Sequence, residues 1–197
     1  MRFAYYDKLS AARQRTYRQS DAIETLGLPR GLALGANVAA IAEALRRDSR
    51  LDVQTACQSL IDALTRGYHV PNVRVRVLAT RPADAGGELH GLYEPVENGS
   101  PPRISVWMRT AQKKQVVAFK TFLRTLIHEL CHHLDYELFA LAETFHTEGF
   151  YKRESSVVTA LLAQTPPGGV SGGQGADLTL RVGPAQAPRR SNPRRAP

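Results

Sequence analysis

The segment His128-Glu129-Leu130-Cys131-His132 contains the residue types and the spacing in this chain that could do chemistry. It matches the pattern H-E-x-x-H and lies within the longest run of helical periodicity. Residues four apart on an α-helix lie one above the other, so His128 and His132 can bind one metal ion. Both histidines face away from the apolar stripe of the helix, which argues against a chance match. Glu129 projects beside them and can take a proton from water, so the pattern predicts a hydrolytic zinc site.

A catalytic zinc site needs a third protein ligand. The metzincin spacing H-E-x-x-H-x-x-G-x-x-H is excluded, because Asp135 and Leu138 stand where that pattern has Gly and His. The remaining downstream candidates are His133, Asp135, Glu137, Glu143, His146 and Glu148. His133 lies about 100° around the helix from the second ligand, away from the metal face. We favour His146, because the thirteen intervening residues let the helix end and the chain return, and Glu143 is the alternative.

Further side chains near the motif are candidates for supporting roles. Asp135 lies on the ligand face and either holds a ligand imidazole by its free N–H or is an ordinary helix-surface charge. Tyr136, Tyr151 and Arg153 are candidates to stabilise the oxyanion that forms when a peptide carbonyl is attacked. The strand from Ile104 to Met108 is either an edge that pairs with an extended substrate or an edge strand without that role.

The elements that must position these residues suggest an α+β fold. Periodicity predicts helices over Lys8–Gln19, Asn37–Arg47 and Gln54–Arg66, with Asn37 or Asp52 as caps, then a long helix after Thr110 and a last one from about Glu148 to Leu162. Alternation predicts strands over 73–80, 91–96 and 103–108, with a hairpin between the last two. The connections are too short for helical crossovers, so the small sheet should be antiparallel or mixed.

Charge and composition bound the domain and its setting. The net charge of +8 divides into +3 for residues 1–23, +4 for residues 165–197 and +1 for the rest. We therefore expect one domain over 1–164, with a helical part over 1–67 and a catalytic core over 68–164, followed by a disordered Pro/Gly/Arg-rich tail over 165–197. The absence of a membrane span or secretory signal, and the presence of two isolated cysteines, predict a cytoplasmic protein.

The stretch TLIHELCHHLDY followed by FHTEGFYKRE resembles the SprT-like zinc metallopeptidases, a zincin group. The resemblance covers about residues 90–160, with Phe150 as the family's aromatic residue and Gly149 displaced from its usual place after the histidine. It implies a zincin-like fold, bound zinc, the ligands His128, His132 and His146, and Glu129 as general base. This sequence has no four-cysteine ribbon of the kind common in that family, so the family's DNA-associated role does not transfer by itself.

Two functions follow as expectations. The leading one is a zinc-dependent peptidase, with a protein or peptide as substrate. The alternative is a zincin-fold binding module with a structural or vestigial metal, which associates with nucleic acid through its basic termini.

Overall fold

The computed structural model describes residues 3–97 and 99–165. The tail predicted over 165–197 therefore lies, apart from its first residue, outside the described residues. Five α-helices are described: α1 (Ala11–Ala22), α2 (Gly35–Arg46), α3 (Arg50–Gly67), α4 (Phe119–Glu137) and α5 (Glu148–Ala163). The strands are β1 (Arg74–Thr80), β2 (Ala83–Asp84), β3 (Gly87–Glu88), β4 (Gly91–Glu94) and β5 (Arg103–Arg109). The α+β class is confirmed.

The main sheet is mixed and has the strand order β1-β5-β4. β1 runs parallel to β5, with Val77 opposite Val106, and β4 runs antiparallel to β5, with Tyr93 opposite Ile104. The predicted hairpin is therefore present. The prediction that Ile104–Met108 forms an edge is wrong, because β5 has a partner on each side and β1 and β4 form the two edges. β2 and β3 make a separate two-stranded hairpin.

Two glutamines of α3 cover the free side of β1. The Gln54 amide donates to the carbonyl of Val75 (2.7 Å) and accepts from the N–H of Val77 (2.7 Å). One turn later, Gln58 donates to the carbonyl of Val73 (3.1 Å) and accepts from the N–H of Val75 (2.8 Å). The side-chain amides thus take the hydrogen-bonding positions that a neighbouring strand would take.

The helix starts differ from the predicted caps. Ser49 caps α3 by accepting from the N–H of Asp52, so Asp52 is not the cap. α2 starts before Asn37, and the N–H of Leu34 donates to the side chain of Gln164 (2.7 Å) at the end of α5. The side chain of the distant residue Gln164 therefore accepts from a backbone N–H at the start of α2 that a local capping residue would otherwise satisfy.

The first helix is also displaced from its predicted range. Tyr6–Lys8 forms a short 3-10 turn, and α1 begins at Ala11 because Ser10 accepts from the N–H of Arg13. The predicted helix Lys8–Gln19 is thus shifted by three residues toward the C-terminus.

One hydrophobic core joins the sheet to the helices. Its members come from α2, α3, α4, α5, β1 and β5, so the segment predicted as a helical N-terminal part shares the core of the rest. α4 is buried on both faces: its apolar side packs into this core, and its histidine side is covered by α5 and the loop before it. In the described part of the chain, no helix combines the length and the apolar character needed to span a bilayer.

Candidate metal centre

Three imidazoles meet above α4. The Nε2 atoms of His128 and His146 are 3.0 Å apart, those of His132 and His128 are 3.2 Å apart, and those of His146 and His132 are 3.1 Å apart. Nitrogens about 2.05 Å from a tetrahedral ion would be about 3.3 Å from one another. The observed triangle is close to that size, so the group could hold one metal ion.

The loop between α4 and α5 delivers the third histidine. Ala140 adopts a left-handed conformation (φ 50°), and the N–H of Leu141 donates back to the carbonyl of Asp135 (2.9 Å), so the chain reverses direction. Thr147 then caps α5 by accepting from the N–H of Phe150 (2.9 Å). His146 comes immediately before this cap, and the start of α5 therefore sets its position.

Glu143, the alternative third ligand, points elsewhere. Its carboxylate forms a two-pronged ion pair with the Arg13 guanidinium of α1. The Tyr5 hydroxyl donates to the backbone carbonyl of His146 (3.0 Å). The N-terminal segment thus fixes the loop from one side, and the structure brings His146 rather than Glu143 to the other two histidines.

Aromatic rings pack around the three imidazoles, of which His128 and His132 are buried and His146 is partly exposed. The Phe150 ring lies 4.7 Å from the His132 ring and 5.0 Å from the His128 ring, centroid to centroid. The Tyr151 ring stacks on His146 at 5.9 Å. Burial lowers the pKa of His132 well below its usual value and lowers the pKa of His146 to about 3. These two imidazoles are therefore neutral at pH 7, the state that a metal requires.

The pKa of His128 shifts in the opposite direction to the pKa values of His132 and His146, because carboxylates lie around it. Burial lowers the pKa of His128, but a hydrogen bond to Glu154 and the charges of Glu129 and Glu154 outweigh burial and raise it. His128 Nδ1 lies 2.8 Å from Glu154 Oε2, and Arg124 donates to Glu154 Oε1 (2.6 Å). The hydrogen bond at Nδ1 leaves the Nε2 atom of His128 facing the other two histidines.

Glu129 is held against the edge strand β4. It accepts a hydrogen bond from the backbone N–H of Tyr93, and a Cβ atom at Gly91 would overlap the carboxylate. Burial raises the pKa of Glu129 to about 7, although the His128 charge and the Tyr93 N–H favour the ionised form. A carboxylate with a pKa near the working pH is suited to accept and return a proton.

Asp135 and Arg153 lie behind the histidines as a fully buried ion pair. Asp135 is linked to His132 through Thr144: Thr144 donates to it (2.7 Å), and the Thr144 oxygen lies 2.7 Å from His132 Nδ1. Arg153 also donates to the backbone carbonyls of Ser20 and Ile23. Arg153 as an oxyanion stabiliser does not fit this placement, because its terminal N–H groups are used in the protein interior.

The two tyrosines named with Arg153 are placed differently from each other. Tyr151 is half-buried and lies against His146, whereas Tyr136 stacks on Tyr93 at 6.1 Å, centroid to centroid. His133 bonds to the Tyr93 hydroxyl (3.1 Å) and to the Pro71 carbonyl (2.8 Å), which ties α4 to the sheet. Among the oxyanion candidates, Tyr151 lies beside His146.

Sequence reasoning missed Thr144, Glu154 and Gly91. Glu154 had a signal in the sequence: it falls on the buried side of α5 together with Phe150 and Val157, where a charged residue needs a buried partner. Thr144 and Gly91 had none, because each owes its place to a contact with a distant segment.

Comparison with known proteins assigns no family to this chain. A scan against protein-family models finds no match, and searches of curated proteins and of solved structures find none. The chemistry of the site is therefore argued from its own geometry.

Proposed function

We propose that this protein is a zinc-dependent peptidase. The observation that carries the proposal is the convergence of three imidazole Nε2 atoms beside a buried carboxylate whose pKa is about 7. The resemblance of residues 90–160 to the SprT-like metallopeptidases supports the same chemistry.

Zinc fits the donor set better than other common ions. Three imidazoles, with no thiolate and no carboxylate in the ligand group, suit a tetrahedral site with one open position, as in catalytic zinc proteins. When bound, zinc would polarise a peptide carbonyl and lower the pKa of a water molecule. His128, His132 and His146 would hold it.

Glu129 and Tyr151 would then supply the protein's part of the reaction. Glu129 accepts the proton of the attacking water and returns it to the amine that leaves, so its pKa near 7 serves both steps. Burial raises the pKa of Tyr151, which keeps its hydroxyl protonated and able to donate to an oxyanion.

The edge strand β4 is the proposed support for the substrate. It lies directly beside Glu129, and Leu92 is 40% exposed on it. An extended peptide would add to β4 through backbone hydrogen bonds on either side of the Tyr93 N–H, which Glu129 uses, and its carbonyl groups would then lie near the histidines.

The first test is the zinc content of the purified full-length protein by elemental analysis, beside His146→Ala and Glu143→Ala. We expect about one zinc per chain in the wild type and in Glu143→Ala, and almost none in His146→Ala, because three ligands are needed for a tight site. A wild type that takes up no zinc after reconstitution would overturn the proposal and favour a binding module that acts through its basic termini.

The second test is cleavage of a proteome-derived peptide library, read out by mass spectrometry. Glu129→Gln should retain its zinc and lose cleavage by a factor of about 10² to 10⁴, because the proton acceptor is gone. Glu137→Gln is the matched control, an exposed glutamate at the end of the same helix. Cleavage by Glu129→Gln at the wild-type rate would contradict the assignment of the general base.

A further inference from the structure

The hydroxyl of Thr144 lies between a proposed zinc ligand and a buried carboxylate. Its oxygen is 2.7 Å from His132 Nδ1 and 2.7 Å from Asp135 Oδ2. On the other side of Asp135, Oδ1 accepts from Arg153 at 2.7 Å, and both members of this ion pair are fully buried. A continuous series of hydrogen bonds thus runs from the protein interior to the histidine group, through Arg153, Asp135, Thr144 and His132.

The number of protons that these side chains carry determines which group donates in each hydrogen bond of the series. Asp135 is paired with Arg153 and is ionised, so its oxygens can only accept. Thr144 has a single hydroxyl proton, which it donates in a hydrogen bond to Asp135, and its oxygen must therefore accept from His132. His132 then carries its proton on Nδ1 and presents the Nε2 lone pair to the other two histidines.

The same threonine belongs to the loop that carries His146. Its two hydrogen bonds join this loop to His132 and to Asp135, both on α4. One residue therefore orients the second histidine and helps to hold the third one in reach.

We propose that Thr144 is a positioning residue for the metal site: supported by Asp135 and Arg153, it selects the His132 tautomer that can bind zinc. This inference rests on the zinc binding in the proposed function, but not on peptide cleavage. Groups that orient a ligand imidazole typically change metal affinity by about 10-fold to 100-fold when they are removed.

The test compares the zinc affinity of Thr144→Val and Thr144→Ser with that of the wild type, measured by competition with a chromophoric zinc chelator. Valine keeps the shape of threonine and lacks the hydroxyl, so Thr144→Val should bind zinc about 10-fold to 100-fold more weakly. Serine restores the hydroxyl, so Thr144→Ser should stay within about threefold of the wild type.

Thr125→Val is the matched control, because Thr125 lies on α4 with His132 and is buried, but its hydroxyl donates to the carbonyl of Thr121 in its own helix. It should bind zinc like the wild type. Melting temperatures of all variants in chelator separate a loss of folding from a loss of affinity. Wild-type affinity in Thr144→Val, or equal losses in the Val and Ser variants, would overturn the inference.

The two proposals fail in different ways. A wild type that binds zinc but cleaves no peptide would overturn the proposed peptidase function and leave the role of Thr144 intact. A wild type that binds no zinc would overturn both.

Discussion

A side chain at Gly91 would occupy the space of the Glu129 carboxylate, because β4 passes directly over it. Gly91→Ala should therefore displace Glu129 while leaving the three histidines in place. We expect kcat/KM for a cleaved peptide to fall by about 10²-fold, since a general base contributes that much or more. The zinc content should stay near one per chain.

The control for this variant is Gly27→Ala, because an added Cβ at Gly27 meets no atom within 4 Å. It should cleave peptide at the wild-type rate. If Gly91→Ala does the same, Glu129 has more freedom than its packing against β4 implies.

At the scale of elements, the contact of α5 with α1 positions the loop that delivers His146. The N–H of Gly149 donates to the Asp21 side chain (3.0 Å), and a Cβ atom at Gly149 would overlap the Asp21 backbone. Gly149→Ala should push the first turn of α5 away from α1 and lower the free energy of unfolding by about 1–3 kcal/mol. Urea denaturation of the metal-free protein measures this loss.

The neighbouring histidine provides a second readout for the same variant. His146 lies three residues before Gly149, so Gly149→Ala should also weaken zinc binding. Gly27→Ala again serves as the control for stability. An unfolding free energy within about 0.5 kcal/mol of the wild type would show that the two helices separate without cost.

The elements also show which parts of the fold the sequence could predict. Local patterns predicted α4, its two proposed ligands His128 and His132, and the β4–β5 hairpin, because each depends on residues close together in the chain. The central position of β5 escaped prediction, since its parallel partner β1 ends 23 residues before β5 begins. The start of α2 depends on Gln164, which no local pattern could indicate.

The residues of the candidate site show the same difference between what nearby residues determine and what distant contacts determine. His146 could be chosen from the chain length available for a reversal, and it joins the other two histidines in the structure. Arg153 could not be placed correctly, because its role depends on the backbone carbonyls of Ser20 in α1 and of Ile23 just after α1. Both lie more than 100 residues before Arg153 in the chain.

For the whole molecule, a bound metal would tie α4 to the loop that α1 and α5 hold. Zinc at about 1,000 times its dissociation constant adds about 4 kcal/mol to stability. For a chain of this size, that corresponds to a rise in Tm of about 8–16 °C. Thermal denaturation with zinc and with a chelator should show this difference, and His146→Ala should show almost none. An equal Tm under both conditions in the wild type would argue against a metal held by the native fold.

The glutamine side chains along β1 have a consequence for how the protein meets other chains. An exposed sheet edge invites another strand, whether from a substrate or from a second copy, and leads to aggregation when it is unprotected. Gln54 and Gln58 already use the hydrogen-bonding groups on the outer side of β1. These side chains block strand addition along β1, whereas on β4 Glu129 uses the backbone N–H of Tyr93, so a strand added there would pair beside that hydrogen bond. In the proposed peptidase, this difference between the two edges would let β4 receive an extended substrate while β1 resists pairing with a second copy of the chain.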